Sequence, residues 1–320
     1  MKTINKIILL AFAIISFSCE DVLEDDITND IIQIVSPVEG EIVSSNVVNF
    51  QWNTLKGADK YRLQVFNANQ AVVLDSLVEN KLNLAYTLPT GIYKWRVRGE
   101  NFAYQSTYSL PASFSTAVSN VLTNQQVLLS IPSENSYTNS TSLTLQWLPI
   151  TTASSYDIEV VTSGGNLVLP TTNVTTTSVI LNTTNLAQEA NYIWKVKAKN
   201  STTNTETPFA TRNFSVDRTN PNQPQNNLPA NNSLTLPVNQ AITFSWTTIA
   251  DTGTIQSPIS YTIEFSNTNT FSSIIRTVNS TTTSSTQTFA TIGDYYWRIK
   301  ATDAAGNNSS FNTSFMFKII

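Results

Sequence analysis

The sequence predicts an all-β protein with three β-sandwich domains in a row, from its composition and two repeated patterns. Only 12% of the 320 residues are charged, against about a quarter in an ordinary soluble chain. Thr, Ser and Asn supply the missing polarity, and they suit solvent-facing strand positions and turns. All six tryptophans fall into a pattern that repeats about every hundred residues. A repeat of that length with short alternating strands is typical of a β-sandwich.

Each repeat has tryptophans at two positions. The first follows an apolar residue at i−2, and the second lies in Tyr-x-Trp-[Lys/Arg]-[Val/Ile]-[Lys/Arg]-[Gly/Ala]. The first set is Trp52, Trp147 and Trp246, and the second is Trp95, Trp194 and Trp297. Between them a strand alternates with period two, as in Tyr61, Leu63 and Val65, so one face of it is buried. This alternation assigns every tryptophan to a core and leaves none as an exposed sugar-binding platform.

These residues carry a resemblance to the fibronectin type III domain. The family has a tryptophan on strand B, a tyrosine-led strand C and a tyrosine at the start of strand F. The resemblance implies three tandem immunoglobulin-like sandwiches. It also implies corner tyrosines whose hydroxyls donate to the backbone upstream, namely Tyr93, Tyr192 and Tyr295.

The predicted domains are residues 31–118, 126–217 and 222–320. Prolines mark their starts, and the Ser36-Pro37, Ile131-Pro132 and Leu228-Pro229 pairs are each expected to open a first edge strand. Residues 117–126 form a short polar joint. Residues 217–224 form a stiffer one, because Pro221 and Pro224 favour an extended backbone.

Residues 1–18 are predicted to be a signal peptide. Lys2 and Lys6 precede an apolar run, Ile7 to Phe17, which is too short to span a bilayer about 30 Å thick as a helix. The run ends at Cys19 in a sequence that resembles the lipobox of bacterial lipoproteins. The resemblance implies cleavage before Cys19, its lipidation and attachment to the membrane. The alternative is ordinary secretion with Cys19 as an unmodified thiol.

Residues 19–30 are predicted to be an acidic tether. Six of the 22 acidic residues lie here, and a segment of like charges has little reason to fold. The stretch resembles the surface-export signal of Bacteroidetes-type lipoproteins. The resemblance implies the outer membrane as location and the cell surface as the side of display.

Composition excludes several classes of function. The chain has no histidine, which removes Ser–His and Cys–His nucleophilic pairs and most zinc sites. No phosphate-binding loop or paired-carboxylate motif is visible, so the sequence predicts no enzyme and no cofactor. From residue 31 onward, 16 acidic residues balance 16 basic ones, so no nucleic-acid partner is expected. Asp303 begins a turn-like Asp-Ala-Ala-Gly-Asn sequence, and one carboxylate is too few for Ca²⁺, so no metal site is predicted.

The candidate ligand face lies in the first domain. Strands C and F are neighbours in this fold, and in repeats two and three acidic residues on C face the cations on F. In repeat one, strand C offers no carboxylate, which predicts an uncompensated basic face unless Asp75 or Glu79 on the next strand pairs with it. An aromatic loop adjoins this face. The candidate residues are Arg62, Lys94, Arg96, Arg98, Phe102, Tyr104 and Tyr108.

The sequence therefore predicts a non-catalytic binding or adhesion scaffold at the cell surface, with a protein or carbohydrate partner. An accessory glycan-binding lipoprotein, similar to those of Bacteroidetes polysaccharide-uptake systems, is the alternative. A non-catalytic remnant of a glycoside hydrolase is a third possibility.

Overall fold

The computed structural model describes residues 24–320, and every regular element in this range is a strand. The signal peptide and Cys19 lie outside the described residues. Residues 24–320 include no helical segment that could serve as a membrane span. The chain divides into two compact units after Ala117. Domain 1 belongs to the first unit, and domains 2 and 3 belong to the second.

Domain 1 consists of a three-stranded and a five-stranded sheet, in the orders β1-β3-β6 and β2-β8-β7-β4-β5. Its strands are β1 (Ile34–Ser36), β2 (Glu41–Val43), β3 (Val47–Trp52), β4 (Lys60–Asn67), β5 (Val72–Glu79), β6 (Asn83–Thr87), β7 (Gly91–Glu100) and β8 (Ala112–Thr116).

Domain 2 repeats this arrangement, with sheets β14-β11-β9 and β10-β17-β15-β12-β13 and with β16 paired to β15. Its strands are β9 (Leu129–Ile131), β10 (Ser136–Thr138), β11 (Leu143–Trp147), β12 (Ser155–Thr162), β13 (Leu167–Val174), β14 (Ser178–Leu181), β15 (Ala190–Asn200), β16 (Thr205–Glu206) and β17 (Ala210–Val216).

Domain 3 has sheets β18-β20-β23 and β19-β25-β24-β21-β22. Its strands are β18 (Asn226–Leu228), β19 (Ser233–Leu236), β20 (Ile242–Trp246), β21 (Ile259–Ser266), β22 (Ile274–Ser280), β23 (Ser284–Gln287), β24 (Gly293–Asp303) and β25 (Phe315–Ile319). The predicted all-β fold of tandem immunoglobulin-like sandwiches is confirmed.

Each sandwich encloses its own hydrophobic core. The alternation of the strands directs the tryptophans inward, and all six are at most 3% exposed. In domain 3 the core is rich in edge-to-face aromatic pairs, which prefer this geometry because of their ring quadrupoles; Phe244 contacts Trp297 in this way at 5.2 Å between ring centroids. The prediction that every tryptophan lies in a core is confirmed.

The three corner tyrosines each donate a hydrogen bond to the carbonyl four residues upstream. The distances are 2.8 Å for Tyr93, 2.7 Å for Tyr192 and 2.9 Å for Tyr295. This bond fixes the turn that leads into β7, β15 or β24, the central strand of each larger sheet, and confirms the prediction.

The three boundary prolines divide the first strand of each domain and do not open it. β1, β9 and β18 end at the residue before the proline and pair antiparallel with the smaller sheet. After the proline the chain crosses over, and β2, β10 and β19 pair parallel with the last strand of the larger sheet. Proline has no N–H for a ladder, so it suits the point where the chain changes sheets.

The described part of the predicted tether is not a solvated spacer. Ile27 is 1% exposed, and Thr107 Oγ1 donates to the Thr28 carbonyl at 3.1 Å. Leu122 lies in the same way within the core of domain 2 and is 0% exposed, although its segment was predicted to be a polar joint. In both cases a single apolar residue holds the entering chain against the sandwich despite its polar surroundings.

Candidate functional site

The seven candidate residues of domain 1 lie in two places. Arg62, Lys94, Arg96, Arg98 and Tyr108 belong to the outer face of β4 and β7, and Phe102 and Tyr104 lie on the β7–β8 loop. At about 3.4 Å per residue, Lys94 and the loop tip are at opposite ends of β7. The sequence therefore grouped residues that do not form one compact site.

Glu100 neutralises most of the predicted basic face. Arg62 and Arg98 lie directly opposite one another in the β4–β7 ladder, and both hydrogen-bond to Glu100 Oε1. The closest distances are 2.9 Å from Arg62 and 2.7 Å from Arg98. Asp75 on β5 binds Arg62 at 2.9 Å. The expectation of an uncompensated face is thus wrong for these two arginines.

Protonation of these carboxyl groups is opposed by their partners. Burial alone would raise the pKa of Glu100, but the hydrogen bonds from Arg98 and Arg62 outweigh it and hold the pKa below its usual value. The pKa of Asp75 is lowered chiefly by the hydrogen bond from Gln64. Both groups therefore remain charged at neutral pH.

Domain 2 contains the same ion pair with its charges exchanged. Asp157 and Lys199 occupy the positions of Arg62 and Glu100, and their charged groups lie 3.3 Å apart. The other cross-strand pairs predicted from the sequence are present as well, Glu159 with Lys195 at 2.8 Å and Glu264 with Arg298 at 2.7 Å. Aligning the repeats on their second tryptophans would have revealed Glu100.

Tyr108 has an equivalent in each of the other domains. Its ring lies under the guanidinium groups of Arg96 and Arg98, at 4.1 and 4.8 Å from the ring centroid. Phe209 and Phe311 cover the corresponding cations of domains 2 and 3. A cation–π contact repeated in all three sandwiches indicates that Tyr108 stabilises its strand.

Two cations of the face remain without an ion pair to any described residue, namely Lys94 and Arg96. Lys94 is exposed, and Arg96 hydrogen-bonds to Gln64 Oε1 at 2.8 Å. They line an open concavity of about 580 Å³ together with Glu39, Phe66 and Pro111. The groove therefore combines two basic residues with one acidic residue.

The loop tip is the other exposed part of the candidate face. Phe102 is 94% exposed and Tyr104 is 38% exposed, and no other aromatic side chain in residues 24–320 is as exposed as these two. Asn101 organises the loop, because its Oδ1 accepts the N–H groups of Ala103 and Tyr104 at 3.1 and 2.7 Å. The two rings are thus presented from a hydrogen-bonded turn.

Asn101 also connects this loop to the entering chain. Its Nδ2 donates to the carbonyls of Asp25 and Gly57 at 2.9 and 2.8 Å. Gly57 has a positive φ of 82°, and a side chain there would collide with Asp25, so the close contact requires a glycine. The loop tip and residue 25 therefore lie at the same end of domain 1.

A cluster of acidic residues that sequence analysis missed lies at the entry to domain 3. Asp217, Asp251 and Asp303 are all buried, and each places a carboxylate oxygen within 4.8 Å of the others. They follow β17, lie in the β20–β21 loop, and end β24. Only Asp303 stood in a recognisable pattern, because the other two are far away in sequence.

Residues 212–309, the end of domain 2 and most of domain 3, match the family model described as SusE outer membrane protein. No curated protein matches the chain at a significant level.

Three solved structures illustrate the structural likenesses. The FN1–FN3 domains of chicken CNTN1 are 18% identical, with 90% of this chain and 97% of that chain covered and a TM-score of 0.46. A two-domain fibronectin type III segment of chicken tenascin is 15% identical, with 58% and 97% covered and a TM-score of 0.23. The fibronectin(III)-like modules of Clostridium thermocellum CbhA are 16% identical, with 58% and 94% covered and a TM-score of 0.23.

The strand orders, the corner tyrosines and the match to an outer-membrane family agree with the resemblances drawn from the sequence. The chain is built from three tandem β-sandwiches of the fibronectin type III kind, and over residues 212–309 it is similar to the SusE outer membrane protein family.

Proposed function

We propose that this protein is a non-catalytic scaffold of the outer membrane whose first domain binds a partner through Phe102 and Tyr104. The observation that carries the proposal is the 94% exposure of Phe102 on a loop held by Asn101. Exposing a large aromatic ring is unfavourable in water, and binding residues are concentrated on loops that a rigid scaffold positions. A preformed loop also loses little conformational entropy on binding.

The position of the loop favours a partner at the membrane surface. Asn101 holds residue 25 beside the loop tip. With Cys19 lipidated, five residues would lie between the anchor and residue 25, which limits the distance between them to about 20 Å. Phe102 and Tyr104 would then lie close to the bilayer, where another outer-membrane protein of the same surface complex is within reach. Lipidation of Cys19 is part of this proposal.

A second candidate function is glycan binding for a polysaccharide-uptake system. The similarity of residues 212–309 to the SusE outer membrane protein family supports it. An exposed phenylalanine and tyrosine also offer faces on which sugar rings stack. The buried tryptophans supply no further platform within the described residues, so a glycan would depend on the same loop.

The groove beside Lys94 and Arg96 is proposed as a subsidiary contact. Both cations lack ion pairs among the described residues, and exposed charges steer association more than they add affinity. An acidic segment of the partner would be steered toward these two cations before the loop tip engages.

The experiment compares the full lipoprotein with its F102A/Y104A variant in pull-downs from the native outer membrane and on a glycan array. Loss of two central aromatic contacts is expected to weaken binding at least about thirtyfold. I180A is the control, since Ile180 is 66% exposed in domain 2, and it should bind as the original protein does. A membrane-protein partner lost only in F102A/Y104A supports the scaffold, and a glycan lost in the same way supports the second candidate. Unchanged binding of both would contradict the proposal.

A further inference from the structure

We infer that Asp217, Asp251 and Asp303 form a Ca²⁺ site at the junction of domains 2 and 3. The three residues are 0%, 5% and 4% exposed. No lysine or arginine of residues 24–320 forms an ion pair with any of them. Burying carboxylates without a counter-charge is strongly unfavourable, and a bound cation would supply that charge.

Asp217 supplies the observation that points to a ligand. Its Oδ1 accepts the Thr219 N–H at 3.2 Å, but its Oδ2 is buried and has no hydrogen-bond partner in the described structure. Buried polar atoms are nearly always paired, and an orphan requires an explanation. This buried oxygen lies among the carboxylates of the cluster, at the position where a bound cation would contact it.

The other two carboxylates are held in place by N–H groups. Asp251 accepts the N–H groups of Thr252 and Ser257 at 2.8 and 2.7 Å. Asp303 accepts the backbone N–H of Asn307 and its Nδ2, both at 2.8 Å. Such bonds fix the carboxylates in position and leave each oxygen with further lone pairs for a metal.

In domains 1 and 2 an asparagine takes the place of Asp303 and makes the contact that we assign to the cation in domain 3. Six residues after the strand tryptophan, the position of Asp303 is occupied by Asn101 and Asn200. Each asparagine uses Oδ1 to organise its loop and Nδ2 to bind a carbonyl of the entering chain, Asp25 or Asn120. Asp303 keeps the acceptor role but has no N–H to donate.

Domain 3 provides further acidic groups at this position. Its β20–β21 loop, residues 247–258, is longer than the corresponding residues 53–59 and 148–154, and it carries Asp251. Asn307 Nδ2 does bind the Asp217 backbone carbonyl at 3.0 Å, but no N–H or O–H group of the described structure donates to the Asp217 carboxylate oxygen Oδ2. A cation placed between the carboxylates would connect the entering chain to domain 3 as the amide does in the other domains.

Calcium fits the chemistry of the site best. All the available ligands are oxygens, which hard cations prefer, and Ca²⁺ tolerates the irregular geometry that three carboxylates from separate segments and waters would provide. Mg²⁺ demands a near-octahedral set and binds fewer protein ligands.

The test measures Ca²⁺ binding to the full chain by calorimetry and thermal unfolding with Ca²⁺ or chelator. We expect one saturable site, with a dissociation constant of about 10⁻⁴–10⁻³ M as in other extracellular modules. We also expect a higher melting temperature in Ca²⁺. D303N, which restores the asparagine of domains 1 and 2, and D217N should each weaken Ca²⁺ binding at least about tenfold. D294N is the control, because Asp294 is an exposed carboxylate of the same domain.

Folding and metal binding are separated by the behaviour in chelator. D217N removes repulsion between carboxylates, so without Ca²⁺ it should melt no lower than the original protein. The inference is overturned if the original chain shows no saturable Ca²⁺ binding up to about 10 mM, well above the expected range. It is also overturned if D303N and D217N bind as D294N does, or if Mg²⁺ raises the melting temperature as much as Ca²⁺.

Discussion

Glu100 illustrates how one residue decides the electrostatics of a whole face. Two arginines lie opposite each other across β4 and β7, and like charges in that position destabilise a sheet. The Glu100 carboxylate binds both and is only 12% exposed. In domain 2 the same positions hold a direct Asp157–Lys199 pair. Each of these positions can hold either a basic or an acidic residue, provided that its partner carries the opposite charge.

Replacing Glu100 by glutamine should therefore destabilise domain 1. The substitution removes the ion pair of Arg98 and one of the two ion pairs of Arg62, and we expect a loss of about 1–3 kcal/mol in the free energy of unfolding. The measurement is urea unfolding followed by tryptophan fluorescence. E79Q is the control, because the Lys60–Glu79 pair is largely exposed and such pairs contribute little. Equal midpoints for E100Q and E79Q would show that Glu100 has no special role.

At the residue scale, local patterns could be predicted and partners distant in sequence could not. The tryptophans and corner tyrosines follow from alternation along single strands, so their burial and hydrogen bonds were predictable. Glu100, which pairs with both arginines, lies at the end of β7, and only an alignment of the repeats would show this pairing. The Asp217 cluster joins three loops, and no periodicity within one strand indicates such a meeting.

At the element scale, each central strand of a larger sheet carries a ladder of cations. On its outer face β15 places Lys195 opposite Glu159 and Lys197 opposite Asp157, with Phe209 against both lysines. The β4, β12 and β21 partners were correctly predicted to lie beside these strands, because the fold makes C and F neighbours. The aromatic cover was not predicted, since it lies after an irregular segment whose path the sequence does not specify.

Because of these ion pairs, the free energy of unfolding depends on pH in a defined direction. Hydrogen bonds from Lys195, then Thr171, hold the pKa of Glu159 below its usual 4.5. The folded pKa is thus lower than the unfolded one, so the contribution is fully present above the unfolded pKa. It is lost as the pH falls through the folded pKa.

The variant E159Q tests this direction. In urea unfolding, the domain 2 midpoint of E159Q should lie below that of the original protein at about pH 7, and the two should converge as the pH falls through the lowered pKa of Glu159. Raising the salt concentration should narrow the gap at neutral pH, because the pair is partly exposed and is screened. E134Q is the control, since the Glu134–Arg212 pair is 3.9 Å long with Glu134 half-exposed. A gap that widened in acid would contradict the assignment.

At the scale of the whole molecule, the chain that enters a domain is part of that domain. Ile27 and Leu122 are buried against their sandwiches, and asparagines at equivalent positions bind the entering backbone. The sequence predicted the boundary at residue 31 from the charge of the preceding segment. That argument failed because one apolar side chain and a few backbone hydrogen bonds outweigh a local excess of charge.

Because residue 25 lies beside the β7–β8 loop, we expect the length of the segment after Cys19 to affect binding of a partner to that loop. If Cys19 is lipidated as proposed, a photo-crosslinker at position 102 should capture an outer-membrane protein, because residue 25 lies at the same end of domain 1 as the loop. Inserting a Gly/Ser linker of about 20 residues after Cys19 adds about 25 Å of root-mean-square reach. Capture should then fall several-fold, because the loop tip is no longer confined to the membrane surface.

The control for this experiment is a crosslinker at Ile92, which is 65% exposed near the start of β7 and about 30 Å along the strand from the loop. It should capture little with either tether, because it lies at the opposite end of domain 1. Capture at position 102 that is indifferent to the insertion would mean that the partner is not confined to the membrane. A soluble ligand would then be favoured, since such a ligand reaches the aromatic loop at any distance of domain 1 from the membrane.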